Sequence, residues 1–304
     1  MKAEATGYDK FYCYENSNVL KNKLDIRSQE LLQKQERMLT FGRILELYET
    51  PIKGGLDFDH LKAIHKYIFS DIYDWAGKDR NVDIAKSNLF CRAMFIRDLS
   101  NDIFTSLRQD NFLISCPAEK VAERLAYYYG EINALHPFRE GNGRTQREFI
   151  RCNAAVAGYE LNFASMNEDA LLQASIESMD REYDHLTDIF KQNMSPLRYQ
   201  DQFKAMKQIA NGRSALGATC DKYYRQINRI SRELKESGYK PIVGVIREIE
   251  TLERMVGHVV NVKELNHLSS EGEIGNGVTR IKSLLSPLPD AESLKLDIDL
   301  IQGK

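Results

Sequence analysis

The chain has 304 residues, 42% of them hydrophobic and 28% charged, with a formal net charge of -2. That length suits one large domain or two smaller ones, and the composition is that of an ordinary globular protein. The near-neutral balance, with a pI near 6.3, gives no drive toward nucleic acid or an anionic membrane surface, so direct nucleic-acid binding is not expected.

No apolar run approaches the roughly 20 residues of a membrane span. The opening MKAEATGYDKFYCYENSN lacks the apolar core of a signal peptide. Five cysteines (Cys13, Cys91, Cys116, Cys152, Cys220) are scattered with no CxxC pair, which fits reduced structural thiols in a cytoplasmic protein. Export of a folded effector is compatible with all of this.

In chain order, residues 8–22 read as an extended arm laid on the domain. Residues 26–49 carry Leu31, Leu32, Met38, Leu39, Ile44, Leu45 and Tyr48 at helical spacing, which predicts one or two helices ending near Thr50-Pro51. After Gly54-Gly55, Asp57 or Asp59 can cap a helix with Leu61, Ile64, Ile68 and Phe69 on one face. Asp74-Trp75-Ala76-Gly77 breaks that helix. Asn81-Val82-Asp83-Ile84-Ala85 then alternates with period two, and Phe90-Cys91-Arg92 follows a Lys86-Ser87-Asn88 turn, which predicts a hairpin. Helix resumes over about 93–108.

Pro117 can open the next helix. There Val121, Leu125, Tyr128, Ile132 and Leu135 form a buried face running into His136. A further amphipathic helix spans Arg144 to Val156 and closes at Gly158. Residues 167–193 read as one helix or two. A soft boundary falls near 197. Beyond it, 199–237 are polar and helical in propensity, Gly238 to Pro241 break the run, 257–262 could be a strand, and the last thirty residues are largely loop.

The chemistry concentrates in His136-Pro137-Phe138-Arg139-Glu140-Gly141-Asn142-Gly143-Arg144-Thr145-Gln146-Arg147. Pro137 ends the preceding helix, and Phe138 anchors the loop in the core. Gly141 and Gly143 permit positive φ and close approach of a ligand to the backbone. Their amides and that of Asn142 stand at a helix N-terminus, a ready site for phosphate oxygens. Arg144 and Arg147 share a helix face and can reach further phosphates. Glu140 is a hard oxygen donor suited to Mg2+, and His136 is a base with a pKa near neutrality. A lone histidine, a lone GNG or two arginines would most often be cap, turn and surface. Gly275-Asn276-Gly277 is such a turn, with no histidine or acid beside it. The whole string at fixed spacing is what points to transfer from a nucleoside triphosphate.

This string resembles the signature of the Fic (filamentation induced by cAMP) family, HxFx(D/E)GNGRxxR, with every signature position matched. Asp71 to Arg80 is similar to the family's YxWAGxxR segment, and 81–91 to its flap hairpin. The resemblance covers about residues 8–195. It implies a mainly α fold, a Fic-type helical bundle with a β-hairpin flap. That would give a Fic domain with its N-terminal arm over 1–197 and a smaller, mostly helical accessory region over 198–304.

The resemblance further implies a protein adenylyltransferase, a nucleotidyltransferase of bacterial toxin or effector character. It would move AMP from ATP, the co-substrate, to a Tyr, Thr or Ser hydroxyl of a target protein and release pyrophosphate. His136 would be the general base and Glu140 the Mg2+ ligand. Asn142 with Gly141 and Gly143 would form the anion hole, and Arg144 and Arg147 would bind the outer phosphates. The flap residues Val82, Asp83, Ile84, Ala85 and Lys86 would align the target by strand addition. Transfer of another nucleotide or a phosphoryl group, or nucleotide binding without turnover, are the alternatives.

In this family a glutamate of an inhibitory helix, [ST]xxxE[GN], pairs with the second arginine. The chain holds no full match: Ser269 and Glu273 have the spacing, but Ile274 follows. The expectation is an inhibitor supplied by a small antitoxin-like partner, or none.

Overall fold

Capping residues set where the first helices begin. Ser28 caps α1 (Gln29–Glu49), its side chain accepting from the Leu31 N–H. Asp57 caps α2 (Phe58–Phe69) through the His60 N–H. α3 (Ile96–Gln109), α4 (Ala118–Leu135) and α5 (Asn142–Ala157) follow, then α6 (Glu168–Glu177), α7 (Asp184–Gln192), α8 (Tyr199–Ile209) and α9 (Ala215–Glu236). The computed structural model describes residues 4–5, 9–85, 90–114, 116, 118–197 and 199–236. The strand, glycine repeat and Ser269–Ile274 stretch expected beyond 236 therefore lie outside the described residues, as does Pro117.

The two strand pairs are short. β1 (Glu4–Ala5) lies antiparallel to β2 (Ile84–Ala85), with Glu4 opposite Ala85 and Ala5 opposite Ile84. β3 (Tyr159–Leu161) lies antiparallel to β4 (Met194–Pro196), a pair the sequence reading did not anticipate.

α4 and α5 form the centre. The expected α4 face, Val121, Leu125, Tyr128, Ile132 and Leu135, is buried throughout. Phe69, Tyr73, Phe138, Phe149 and Phe190 fill the space around it with essentially no exposure. Burial of such large apolar rings is a major favourable contribution to folding.

Four expectations change. The 26–49 stretch holds one helix, Gln29–Glu49, and its buried face is Leu32, Glu36, Thr40 and Leu47. Leu31, Met38, Leu45 and Tyr48, among the residues whose spacing predicts the helix, are exposed. The arm at 8–22 is packed as expected but is mostly turns, closed by a Cys13–Leu20 bridge. α5 begins at Asn142, before Arg144. The core also runs past residue 197: Met206, Ile209, Leu216, Cys220 and Tyr223 are buried in the same cluster as α4 and α5. The five cysteines are free thiols, and no helix of the described residues is long and apolar enough to cross a membrane.

Candidate active site

The loop after α4 is shaped by three local facts. The His136 N–H still reaches the Ile132 carbonyl at 3.0 Å, but its own φ of +43° turns the chain out of the helix, and Pro137 has no N–H to continue it. Phe138 is fully buried, its ring stacked on His65 with centroids 3.8 Å apart. The Asn142 side chain then closes the loop on Phe138: Oδ1 accepts from its N–H at 2.8 Å, and Nδ2 donates to its carbonyl at 2.7 Å. Both ends of that amide are thus occupied by the loop. Nδ2 has a second N–H, so the backbone N–H and that remaining side-chain donor are the groups Asn142 can offer an anion.

His65 holds the next residue. Its Nδ1 accepts from the Gly77 N–H at 2.8 Å, so Nε2 carries the proton and donates to the Glu140 carbonyl at 3.0 Å. Burial pushes its pKa down to about 3, so the ring is neutral. Arg139 is pinned by Asp9 of the N-terminal arm, Nε to Oδ2 at 2.8 Å, with both side chains buried.

His136 Nδ1 faces the Asn133 carbonyl at 3.2 Å. A carbonyl only accepts, so Nδ1 carries the proton and Nε2 holds the basic lone pair. The ring is stacked under Phe90, centroids 3.7 Å apart. Arg80 ties this base to the flap. Its Nε donates to the His136 carbonyl at 2.9 Å, its Nη1 to Val82 O at 2.8 Å and its Nη2 to Cys91 O. Its own N–H donates to Pro137 O at 2.8 Å. Both ends of the flap and the base are held by one buried guanidinium, a role invisible in the sequence.

The flap itself differs from the expected hairpin. Asn81 to Asp83 are not strand. Val82 is half-buried, and Asp83 Oδ1 accepts from the Ala93 N–H at 2.7 Å. Ile84 is buried against Phe90, whose N–H reaches the Ile84 carbonyl at 3.4 Å. The strand partner of Ile84 and Ala85 is β1, not residues 90–92. Lys86 lies outside the described residues.

At the start of α5, Gly141 is the N-cap with φ +83° and no side-chain cap. A Cβ there would sit 2.1 Å from the Phe69 ring, so only glycine fits. Gly143 is not so constrained: a Cβ would be 3.4 Å from Arg147 Nη1, ordinary contact. The uncapped end leaves first-turn N–H donors and the positive end of the helix dipole free to meet an anion. The Gly141 N–H itself is taken by Glu140 Oε1 at 3.0 Å.

Arg144 and Arg147 stand one turn apart on an open groove of about 1130 Å³, with Glu36, Thr40 and Glu140 also lining it. Arg144 is held by Glu36 and Thr40. Arg147 has no hydrogen bond or ion pair with any described residue. Among the described residues no three His, Cys, Asp or Glu side chains cluster as a metal cage. A single carboxylate at Glu140, beside an anion-binding helix end, does fit Mg2+, which takes few protein ligands and completes its shell with phosphate oxygens and water.

The Fic/DOC family model matches residues 55–152. The chain is 31% identical to the protein adenylyltransferase VbhT of Bartonella schoenbuchensis over 294 residues, 96% of this chain and 60% of that protein. It is 37% identical over 165 residues to the Escherichia coli protein named "Probable protein adenylyltransferase Fic", covering 54% of this chain and 82% of that one. Among solved structures, the N-terminal Fic domain of a VirB-translocated Bep effector protein of Bartonella quintana, with bound ADP, superposes with a TM-score of 0.58. That match has 26% identity and covers 62% of this chain and 95% of the domain. The chain belongs to the Fic family. It spans less than two thirds of the length of the Bartonella schoenbuchensis relative.

Proposed function

We propose that the chain is a protein adenylyltransferase that moves AMP from ATP to a hydroxyl of a target protein. Its relatives carry that activity in their names, and the related Bartonella quintana domain holds ADP. The observation that carries the proposal is the joining, in one pinned loop, of a basic His136 Nε2 to an uncapped helix end bearing Arg144 and Arg147.

In this scheme the target hydroxyl gives its proton to His136 Nε2 while its oxygen attacks the α-phosphorus. The bond to the β-phosphate breaks, and pyrophosphate leaves. The α5 first-turn N–H groups receive the α-phosphate oxygens. Arg144 and Arg147 hold the outer phosphates and the charge that develops on the leaving group. Glu140 would hold Mg2+, which supplies further charge neutralisation when bound. The target is an extended segment added to the flap at Ile84-Ala85. Restraint comes from a separate antitoxin-like protein that engages Arg147. The site is cytoplasmic in this scheme, with delivery as an effector compatible.

The test is mass spectrometry of a bacterial lysate incubated with the chain, ATP and Mg2+. An AMP adduct on Tyr, Thr or Ser is expected, and His136→Ala should lower its rate by about 10²- to 10⁴-fold. UMP or phosphate adducts would assign another transferase. Labelling unchanged in His136→Ala would remove the histidine from its role.

A further inference from the structure

Glu36 lies in the middle of α1 with 4% of its surface exposed. A carboxylate so buried is costly unless it is paired and hydrogen-bonded. The pairing is complete. Arg144 Nη2 donates to its Oε1 at 2.6 Å, and the Tyr73 hydroxyl, itself buried, donates to its Oε2. One turn along α1, Thr40 Oγ1 accepts from Arg144 Nη1 at 2.9 Å and donates to the Glu36 carbonyl at 2.7 Å. The guanidinium lies over the Phe69 ring, 4.7 Å from its centroid. Arg144 is therefore held by Glu36 and Thr40 of α1 and packed on Phe69 of α2, while it lines the groove with Arg147.

Two roles are chemically possible for such a carboxylate. It could compete with phosphate for the arginine, or it could aim the arginine at phosphate. The surroundings decide. Glu36 cannot follow Arg144 outward, because Tyr73 anchors it from the core side. An arginine has five N–H donors in a fixed fork. Glu36 and Thr40 take one from each terminal nitrogen; Glu140 Oε1 stands 3.8 Å from Nη2, beyond hydrogen-bond reach, so the other donors remain for a ligand. We propose that Glu36, with Tyr73 and Thr40, is a positioning residue that orients Arg144 for the outer phosphates of the nucleotide. This rests on the phosphate-binding role given to Arg144 above. The gain is pre-organisation: a long, flexible side chain is already ordered before the ligand arrives.

The test is calorimetric binding of ATP and of AMP, each with Mg2+, to His136→Ala protein, which removes turnover. Glu36→Gln should weaken ATP about tenfold and Thr40→Val about threefold, each with AMP affinity unchanged, since AMP lacks the outer phosphates. In an Arg144→Ala background, Glu36→Gln should add no further loss, because the two residues act as one unit. Equal loss of ATP and AMP would reduce Glu36 to a structural residue, and tighter ATP binding would make it a competitor; either overturns the proposal. If Glu36→Gln does not fold, Thr40→Val and Tyr73→Phe read the same network. ATP affinity unchanged in Arg144→Ala would instead sink the arginine's phosphate role, and with it this inference, while adenylylation by other contacts would still be read from the lysate adduct.

Discussion

His65 shows what one side chain contributes to the loop. Its two ring nitrogens join Gly77, after α2, to Glu140 in the signature loop, and its faces are covered by Phe69 and Phe138. Both bonds need the neutral tautomer. The folded-state pKa of about 3 lies below the ordinary value near 6.5. Above about pH 6.5 the ring is neutral folded or unfolded, so stability does not change there. Below it, the unfolded chain binds a proton that the folded chain refuses, and stability falls with pH down to about 3. The loss at pH 5 is about 2 kcal/mol from this ring alone. His60, also lowered by burial, acts in the same direction. Urea midpoints measured from pH 7.5 to 5 should decline, and His65→Gln should flatten the decline; an identical slope in the variant would exclude His65 as its source. The α2 stripe was legible in the sequence, but His65 was not assigned to it. A histidine is read as polar until its partners are known.

At the scale of elements, α1 and the flap depart furthest from the sequence pattern. α1 exposes Met38, Phe41 and Leu45 and buries Glu36 and Thr40 between Leu32 and Leu47, a departure from the usual amphipathic rule. The reason is the arginine that α1 faces. The flap strand is the edge to which a target segment would add, and β1 already lies there. The N-terminal arm is fixed close by through the buried Asp9–Arg139 pair. Deleting residues 1–5 keeps Asp9 and removes the strand partner Glu4–Ala5. Hydrogen exchange of the backbone at Ile84-Ala85 should then quicken by about tenfold, while α4 and α5 keep their protection. Unchanged exchange at Ile84-Ala85 would mean that β1 does not protect this edge.

For the whole molecule, the packing past residue 197 matters most. The Gly54 N–H donates to Ile209 O at 2.8 Å, and the Asn211 N–H returns to Gly54 O at 2.9 Å. Gln202 Nε2 reaches Val156 O on α5 at 3.0 Å. Met206, Ile209 and Leu216 are nearly or fully buried, each worth about 1.5–3 kcal/mol of burial. A chain ending at 197 should therefore lose several kcal/mol, against a typical total of about 5–15. Its thermal midpoint should fall by more than about 10 °C relative to a chain ending at 236. Midpoints within a few degrees of each other would make α8 and α9 an appendage rather than part of the core.

The sequence by itself determined the features written within a few residues of one another. The α4 stripe, the Asp57 cap, the Gly158 stop and the contiguous string from His136 to Arg147 were all readable, because period, capping and motif spacing are local. Tertiary structure decided the pairings that cross the chain. Glu36 meets Arg144 across 108 positions, Asp9 meets Arg139 across 130, and His65 meets Glu140 across 75. The local pattern marks the loop members of these pairs but not their distant partners Glu36, Asp9 and His65. A buried charge or a neutral histidine is stable only beside its partner, and only the packed fold brings the two together.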